Sequence, residues 1–201
     1  MKGDLKIYTG PMFAGKTTRM IEELETYDNF MALKPNMDDR YSEVDIVSHN
    51  GHEIPASSVP SDELLLYVVE DVDYGDISAV GIDEVQFFEE SVVDAVDYIL
   101  SKDVDVIAAG LDTDFRKEPF GSVPELREMA DEYEKLSARC EECGDEAGYT
   151  QRIIDGEPAS YDSPQVLIGA DETYEPRCEE HHVVGKPEES AYDEIVSDIA
   201  N

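Results

Sequence analysis

Residues 10 to 17 read GPMFAGKT and follow the apolar run Leu5-Lys6-Ile7-Tyr8-Thr9. This G-x-x-x-x-G-K-[ST] spacing behind a strand constrains the chain more than any other stretch. It fits a loop that turns tightly between strand and helix and wraps its N–H groups around phosphate oxygens. Gly10 and Gly15 permit backbone angles and close approaches that a Cβ would block. Lys16 is expected to hold the β- and γ-phosphates, and Thr17 to ligate Mg²⁺. A helix beginning at Thr17 offers its positive end to the anion.

Such a loop needs an acidic partner at the end of a neighbouring strand to hold the metal. Ala79-Val80-Gly81-Ile82-Asp83-Glu84 is an apolar run ending in adjacent carboxylates. At a strand end the two side chains point in different directions. One can face the Mg²⁺ shell while the other accepts a proton from an attacking hydroxyl.

Around these motifs, strands alternate with helices. Ile7 to Thr9 ends a strand, Thr17 to Thr26 has helical spacing, and Phe30 to Leu33 forms a short second strand. Ile77 to Ile82 and Val104 to Leu111 are β-branched runs without strict alternation, as expected for strands covered on both faces. Ser91 to Leu100 between them reads as a helix. The pattern predicts an α/β fold of the P-loop NTPase type, a parallel sheet with helices on both faces. Residues 38 to 60 are expected to form a loop with at most a short strand. The expected division is a nucleotide-binding domain over 1–135, a small appended domain with a long loop over 136–185, and an acidic tail over 186–201. There is no internal repeat.

Cys140-Glu141-Glu142-Cys143 and Cys178-Glu179-Glu180-His181 are two chelating pairs. Three thiolates and one imidazole suit a closed tetrahedral zinc site, structural rather than catalytic. A lone C-x-x-C is also open to a redox reading; the second half-site favours zinc. His182 is adjacent, and spacing favours His181 as the fourth ligand. The 34 residues between the half-sites form a long excursion stapled at its base, as lids often are.

The net charge of −34, from 49 acidic and 15 basic residues, excludes a nucleic-acid partner held by bulk electrostatics. Self-repulsion of this size strains a compact state at low salt, and screening relieves it, since the Debye length falls to about 3 Å at 1 M. The composition is like that of a protein from a salt-loving organism. No apolar stretch approaches the length of a membrane span. The chain enters a strand pattern without a signal peptide, and three cysteines do not make a disulfide scaffold. A cytoplasmic protein with no membrane partner is expected.

GPMFAGKT, DDRY at 38–41, IDEVQFF at 82–88, LDTDFRKEPFG at 111–121, C-x-x-C at 140–143, AGYTQR at 147–152 and TYEPRC-x-x-H at 173–181 occur in one order. The ordered set, over about residues 3 to 182, resembles the zinc-containing thymidine kinases. The resemblance implies transfer of the γ-phosphoryl of ATP to the 5′-hydroxyl of thymidine, with Mg²⁺, in a homotetramer. It implies that Gly10, Pro11, Met12, Phe13, Ala14, Gly15, Lys16 and Thr17 bind the ATP phosphates. Asp83 would lie in the magnesium shell and Glu84 would be the general base. Phe87 matches the aromatic against the thymine ring, with Phe115 and Phe120 as further walls. Met12, Asp38 and Leu111 match other nucleoside-lining positions. Thr150, Arg152, Val166 and Tyr174 match positions on the loop that covers the nucleoside and holds its base edge through backbone groups. Cys140, Cys143, Cys178 and His181 would hold structural Zn²⁺.

Three departures stand out: Val85 where some members have glycine, an acidic Asp114 beside Asp112, and Cys₃His in place of Cys₄. A broader pyrimidine deoxynucleoside kinase, or a P-loop ATPase or switch with a zinc module, stays open at this point.

Overall fold

The computed structural model describes residues 2–36, 45–48, 51–166 and 172–187. Six parallel strands form the central sheet in the order β5-β2-β6-β7-β1-β8. They are β1 (Leu5–Thr9), β2 (Phe30–Pro35), β5 (Ser57–Val59), β6 (Ala79–Ile82), β7 (Asp105–Gly110) and β8 (Glu132–Lys135). The helices are α1 (Lys16–Leu24), α2 (Leu64–Tyr74), α3 (Ser91–Ser101) and α4 (Val123–Met129).

Both faces of the sheet are covered, which explains the unbroken apolar strands. Leu5, Ile7, Val80, Ile82, Val106 and Ala108 pack on one face against buried residues of α2, α3 and α4. Tyr8, Ala79, Ile107 and Ala109 face the other way, onto Met20, Ile21 and Leu24 of α1. Period-two alternation along each strand thus divides one apolar run between two cores. Full burial of each large α1 side chain is worth about 1.5–3 kcal/mol.

Gly81 is what lets α1 lie this close. A Cβ there would stand 2.3 Å from Leu24 Cδ1, and Leu24 is fully buried. Gly81→Val is therefore expected to destabilise the fold by about 1–3 kcal/mol through overpacking. A lowered denaturation midpoint with an unchanged slope checks this, and an unchanged midpoint contradicts it.

The sequence expectation falls short over residues 45–59 and at α2, α4 and β8. Residues 45–59 contain three short strands, not one at most: β3 (Asp45–Val47), β4 (Glu53–Pro55) and β5. β3 and β4 pair antiparallel and bury Ile46 and Ile54 against the α1 core, while β5 extends the main sheet beside β2. Three-residue strands are too short for alternation to be readable. Helix α2 went unassigned, because LLLYVV at its start is apolar without a clear helical stripe.

Beyond Lys135 the chain leaves the main sheet. β9 (Ala138–Arg139) and β10 (Glu146–Ala147) pair antiparallel, and β11 (Tyr149–Ile154) is flanked by β12 (Glu157–Pro158) and β13 (Glu172–Arg177). No described helix is long and apolar enough to cross a membrane. Asp38 and residues 188–201 lie outside the described residues.

Candidate active site

The phosphate loop, the Asp83-Glu84 pair and Leu111 leave the carboxyl ends of β1, β6 and β7, three adjacent strands. Open α/β sheets place ligands at such ends. Gly10 has φ 134° and a Cβ there would meet the Leu136 carbonyl oxygen at 2.3 Å, so only glycine fits. Gly15, at φ 85°, caps α1 in the left-handed region. The first N–H groups of α1 thus open toward the loop with no intrahelical partner.

Lys16 is buried, and its Nζ donates to the Pro11 carbonyl oxygen at 2.8 Å, across the loop. Burial pushes its ammonium below the ordinary lysine range, opposed by the charges of Glu84, Asp83 and Asp112. The Thr17 hydroxyl lies 3.1 and 3.2 Å from the two carboxylate oxygens of Asp83. Burial, and then the neighbouring Glu84 charge, pushes Asp83 up to about 7. The Glu84 N–H, the Thr17 hydroxyl and Lys16 act against that rise. A hydroxyl and a carboxylate side by side make an all-oxygen donor set that suits a hard divalent cation.

Glu84 takes a left-handed backbone (φ 50°) at the start of a short 3₁₀ turn, Val85–Phe87. Gln86 Nε2 donates to Glu84 Oε2 at 2.6 Å, and Gln86 Oε1 accepts the Leu111 N–H at 2.9 Å. Gln86 was missed in the sequence. Its only signal was its place inside IDEVQFF.

Lys16 and Glu84 open onto a cavity of about 220 Å³. Phe87, Phe115, Phe120 and Leu111 line it, and the Phe87 and Phe120 rings meet edge to face at 5.3 Å. Met12 and Thr150 close one side, with Val166 and Tyr174 contributed by the loop between the two cysteine half-sites. Asp114 and Gln165 also line the cavity, and neither was anticipated there. Arg152 is not on the lining. It is fully buried with its guanidinium 3.9 Å from the centre of the Phe115 ring, and it donates to the Pro164 and Gln165 carbonyl oxygens.

The cysteine module touches the phosphate loop directly, since the Met12 N–H donates to Thr150 Oγ1 at 3.0 Å. The ligand atoms of Cys140, Cys143, Cys178 and His181 all lie within 4.8 Å of one another. Cys143 Sγ and Cys178 Sγ are 3.8 Å apart, and His181 Nδ1 is 3.1 and 3.9 Å from the sulfurs of Cys178 and Cys140. Tetrahedral zinc with Zn–S near 2.3 Å needs sulfur pairs about 3.8 Å apart, so the donor set fits. His182 is otherwise engaged: its Nε2 faces the Thr150 carbonyl oxygen at 3.2 Å, and burial pushes its pKa down. The family model described as thymidine kinase matches residues 3–182, a span that includes the phosphate loop and the Cys₃His cluster.

Proposed function

The chain belongs to the thymidine kinase family, and from that premise we propose that it transfers the γ-phosphoryl of ATP to the 5′-hydroxyl of thymidine. One observation carries this reading. Lys16 and Glu84 share a single cavity with three phenylalanines, so a phosphate cradle and a carboxylate meet walls suited to a flat base.

Gly10 to Thr17 grip the phosphates, and Lys16 exchanges the Pro11 carbonyl for phosphate oxygen. Glu84 takes the 5′-hydroxyl proton as that oxygen forms its bond to the γ-phosphorus and the bond to the β-phosphate oxygen breaks, releasing ADP. Thr17 and Asp83 are the residues to hold Mg²⁺, which when bound neutralises charge on the phosphates. The phenylalanine walls orient the base, and the loop between the two half-sites keeps water from the γ-phosphate. Cys140, Cys143, Cys178 and His181 hold a structural Zn²⁺ in a module over about 136–185 that is distinct from the 1–135 kinase domain. A cytoplasmic homotetramer adapted to high salt completes the reading, supported by the resemblance and by the −34 charge.

ADP release from ATP and Mg²⁺ in molar KCl, with and without thymidine, tests the reading. Release that requires thymidine is expected. Release indifferent to any nucleoside would mean an ATPase or switch and would end the kinase reading.

A further inference from the structure

We propose that Gln86 is a positioning residue for the phosphoryl transfer. Its amide holds one carboxylate oxygen of Glu84, so that the other is left to take the proton of the attacking hydroxyl. The inference rests on the nucleoside kinase reading, in which Glu84 is the base, and adds the residue that aims it.

The Glu84 backbone is fixed by the left-handed turn and by its own N–H, which donates to Asp83 Oδ1 at 3.0 Å. Its side chain still has torsions with staggered alternatives, and only some of them aim the carboxylate at one place. Gln86 supplies the hold, with Nε2 donating to Glu84 Oε2 at 2.6 Å. The amide can take only this order. Its Oε1 accepts the Leu111 N–H at 2.9 Å, and a backbone N–H cannot accept, so Nε2 must be the end that meets Glu84. An ionised carboxylate in turn only accepts hydrogen bonds. Both partners therefore select the same amide orientation, and neither polar atom of the amide is left unpaired.

The surroundings are cut to the size of this side chain, which is 3% exposed. A Cβ at Gly110, the last residue of β7, would stand 2.5 Å from Gln86 Oε1 and 2.9 Å from Val85 Cγ1. A Cβ at Gly121 would stand 2.3 Å from the Gln86 carbonyl oxygen. Val85, on one side of Gln86, is fully buried in the core under the sheet. Phe87, on the other side, lines the cavity, as does Leu111, whose N–H the amide holds. Gln86 thus ties the base to two of the walls that seat the acceptor. Such a link matters because a misplacement of about 1 Å can cost a hundredfold in rate.

The test measures kcat and both KM values, for thymidine and for ATP, with Mg²⁺ in molar KCl. It compares the full-length wild-type protein with Gln86→Met, Gln86→Ser, Glu84→Gln, and each Gln86 substitution combined with Glu84→Gln. Methionine keeps the length and removes the donor. Serine leaves room for water to pair with the Leu111 N–H, so it keeps the fold within reach if the methionine variant does not fold. Either Gln86 substitution should lower kcat by about tenfold to a hundredfold and move both KM values by less than about threefold. On top of Glu84→Gln it should cost no further turnover, because a side chain that cannot take the proton gains nothing from being aimed. A kcat within about twofold of wild type in a folded Gln86 variant overturns the proposal. So does a loss that recurs in full in the Glu84→Gln background, which marks a merely structural role. Wild-type protein without thymidine-dependent turnover would remove the kinase reading and this inference with it. Wild-type turnover that falls with Glu84→Gln but not with either Gln86 substitution would remove Gln86 alone.

Discussion

Glu84→Gln is expected to lower kcat by about a hundredfold or more while leaving ATP binding nearly intact. The substitution keeps the size and shape of the side chain and removes its charge and its capacity to take a proton. The left-handed backbone at position 84 and the 3₁₀ turn after it are set by the chain's path, so the amide occupies the same place. One contact persists as well, since an amide oxygen can still accept from Gln86 Nε2. Metal binding is not the step expected to fail. After burial, the Glu84 charge is the largest cause of Asp83's raised pKa, so neutralising it makes ionised Asp83 easier to form. Lys16 loses one of the charges that favour its protonated form, but Asp83 and Asp112 remain beside it. A fall in kcat with an unchanged ATP dissociation constant matches a base acting in the transition state. Full turnover in this variant would remove Glu84 as the base, and another carboxylate would have to be sought.

Removing zinc is the second large effect expected. Metal analysis should find one zinc per chain. Chelation, or Cys178→Ser, should abolish most thymidine-dependent turnover and open residues 136–187 to proteolysis, with turnover after chelation restored by added zinc. The physical reason is the small size of the module. Among its described residues the buried apolar side chains are few, chiefly Cys140, Ala147 and Ala159, too few to hold β9 to β13 together alone. Apparent binding free energies of about 10–16 kcal/mol are typical where a structural zinc organises such a segment. The cluster ties the β9–β10 turn to the end of β13, and the paired strand β11 carries Thr150 and Arg152. Loss of the metal therefore reaches the phosphate loop through the Thr150 contact with Met12, and the cavity through Arg152. A metal-free protein that stays folded, protease-resistant and active would overturn the zinc assignment.

Some of this architecture was written locally in the chain. The strand–loop–helix at GPMFAGKT, the carboxylates closing Ala79–Ile82 and the two cysteine half-sites are each encoded within about ten residues. Their spacing alone requires a turn, a strand end or a chelate. The doubly covered parallel sheet was legible for the same reason, because β-branched runs without alternation between helical stretches have few other solutions. The short strands β3 to β5 and helix α2 were not legible. The strands fall below the length at which a period can be seen, and the helix carries no clear stripe.

The tertiary structure alone decided how these local pieces meet. Spacing favoured His181 as the metal ligand, but only the fold shows His182 occupied with the Thr150 carbonyl. Arg116 and Lys117 are rare cations whose sequence position could suit phosphates. The fold turns Arg116 onto the Ser163 carbonyl and Lys117 onto Glu179. Arg152, matched by resemblance to the nucleoside site, is buried with its guanidinium over the Phe115 ring and donates to the Pro164 carbonyl oxygen. Gln86 and Asp114 sit inside quoted motifs, but the Gln86–Leu111 and Asp114–Gln165 contacts span 25 and 51 positions of sequence and no local spacing states them. Spacing within a turn or a strand end is set by bond geometry and is therefore written in the residues. Which distant carbonyl or amide a side chain meets is set by strand order and by the close approach of packed elements. Those exist only once the whole chain has folded.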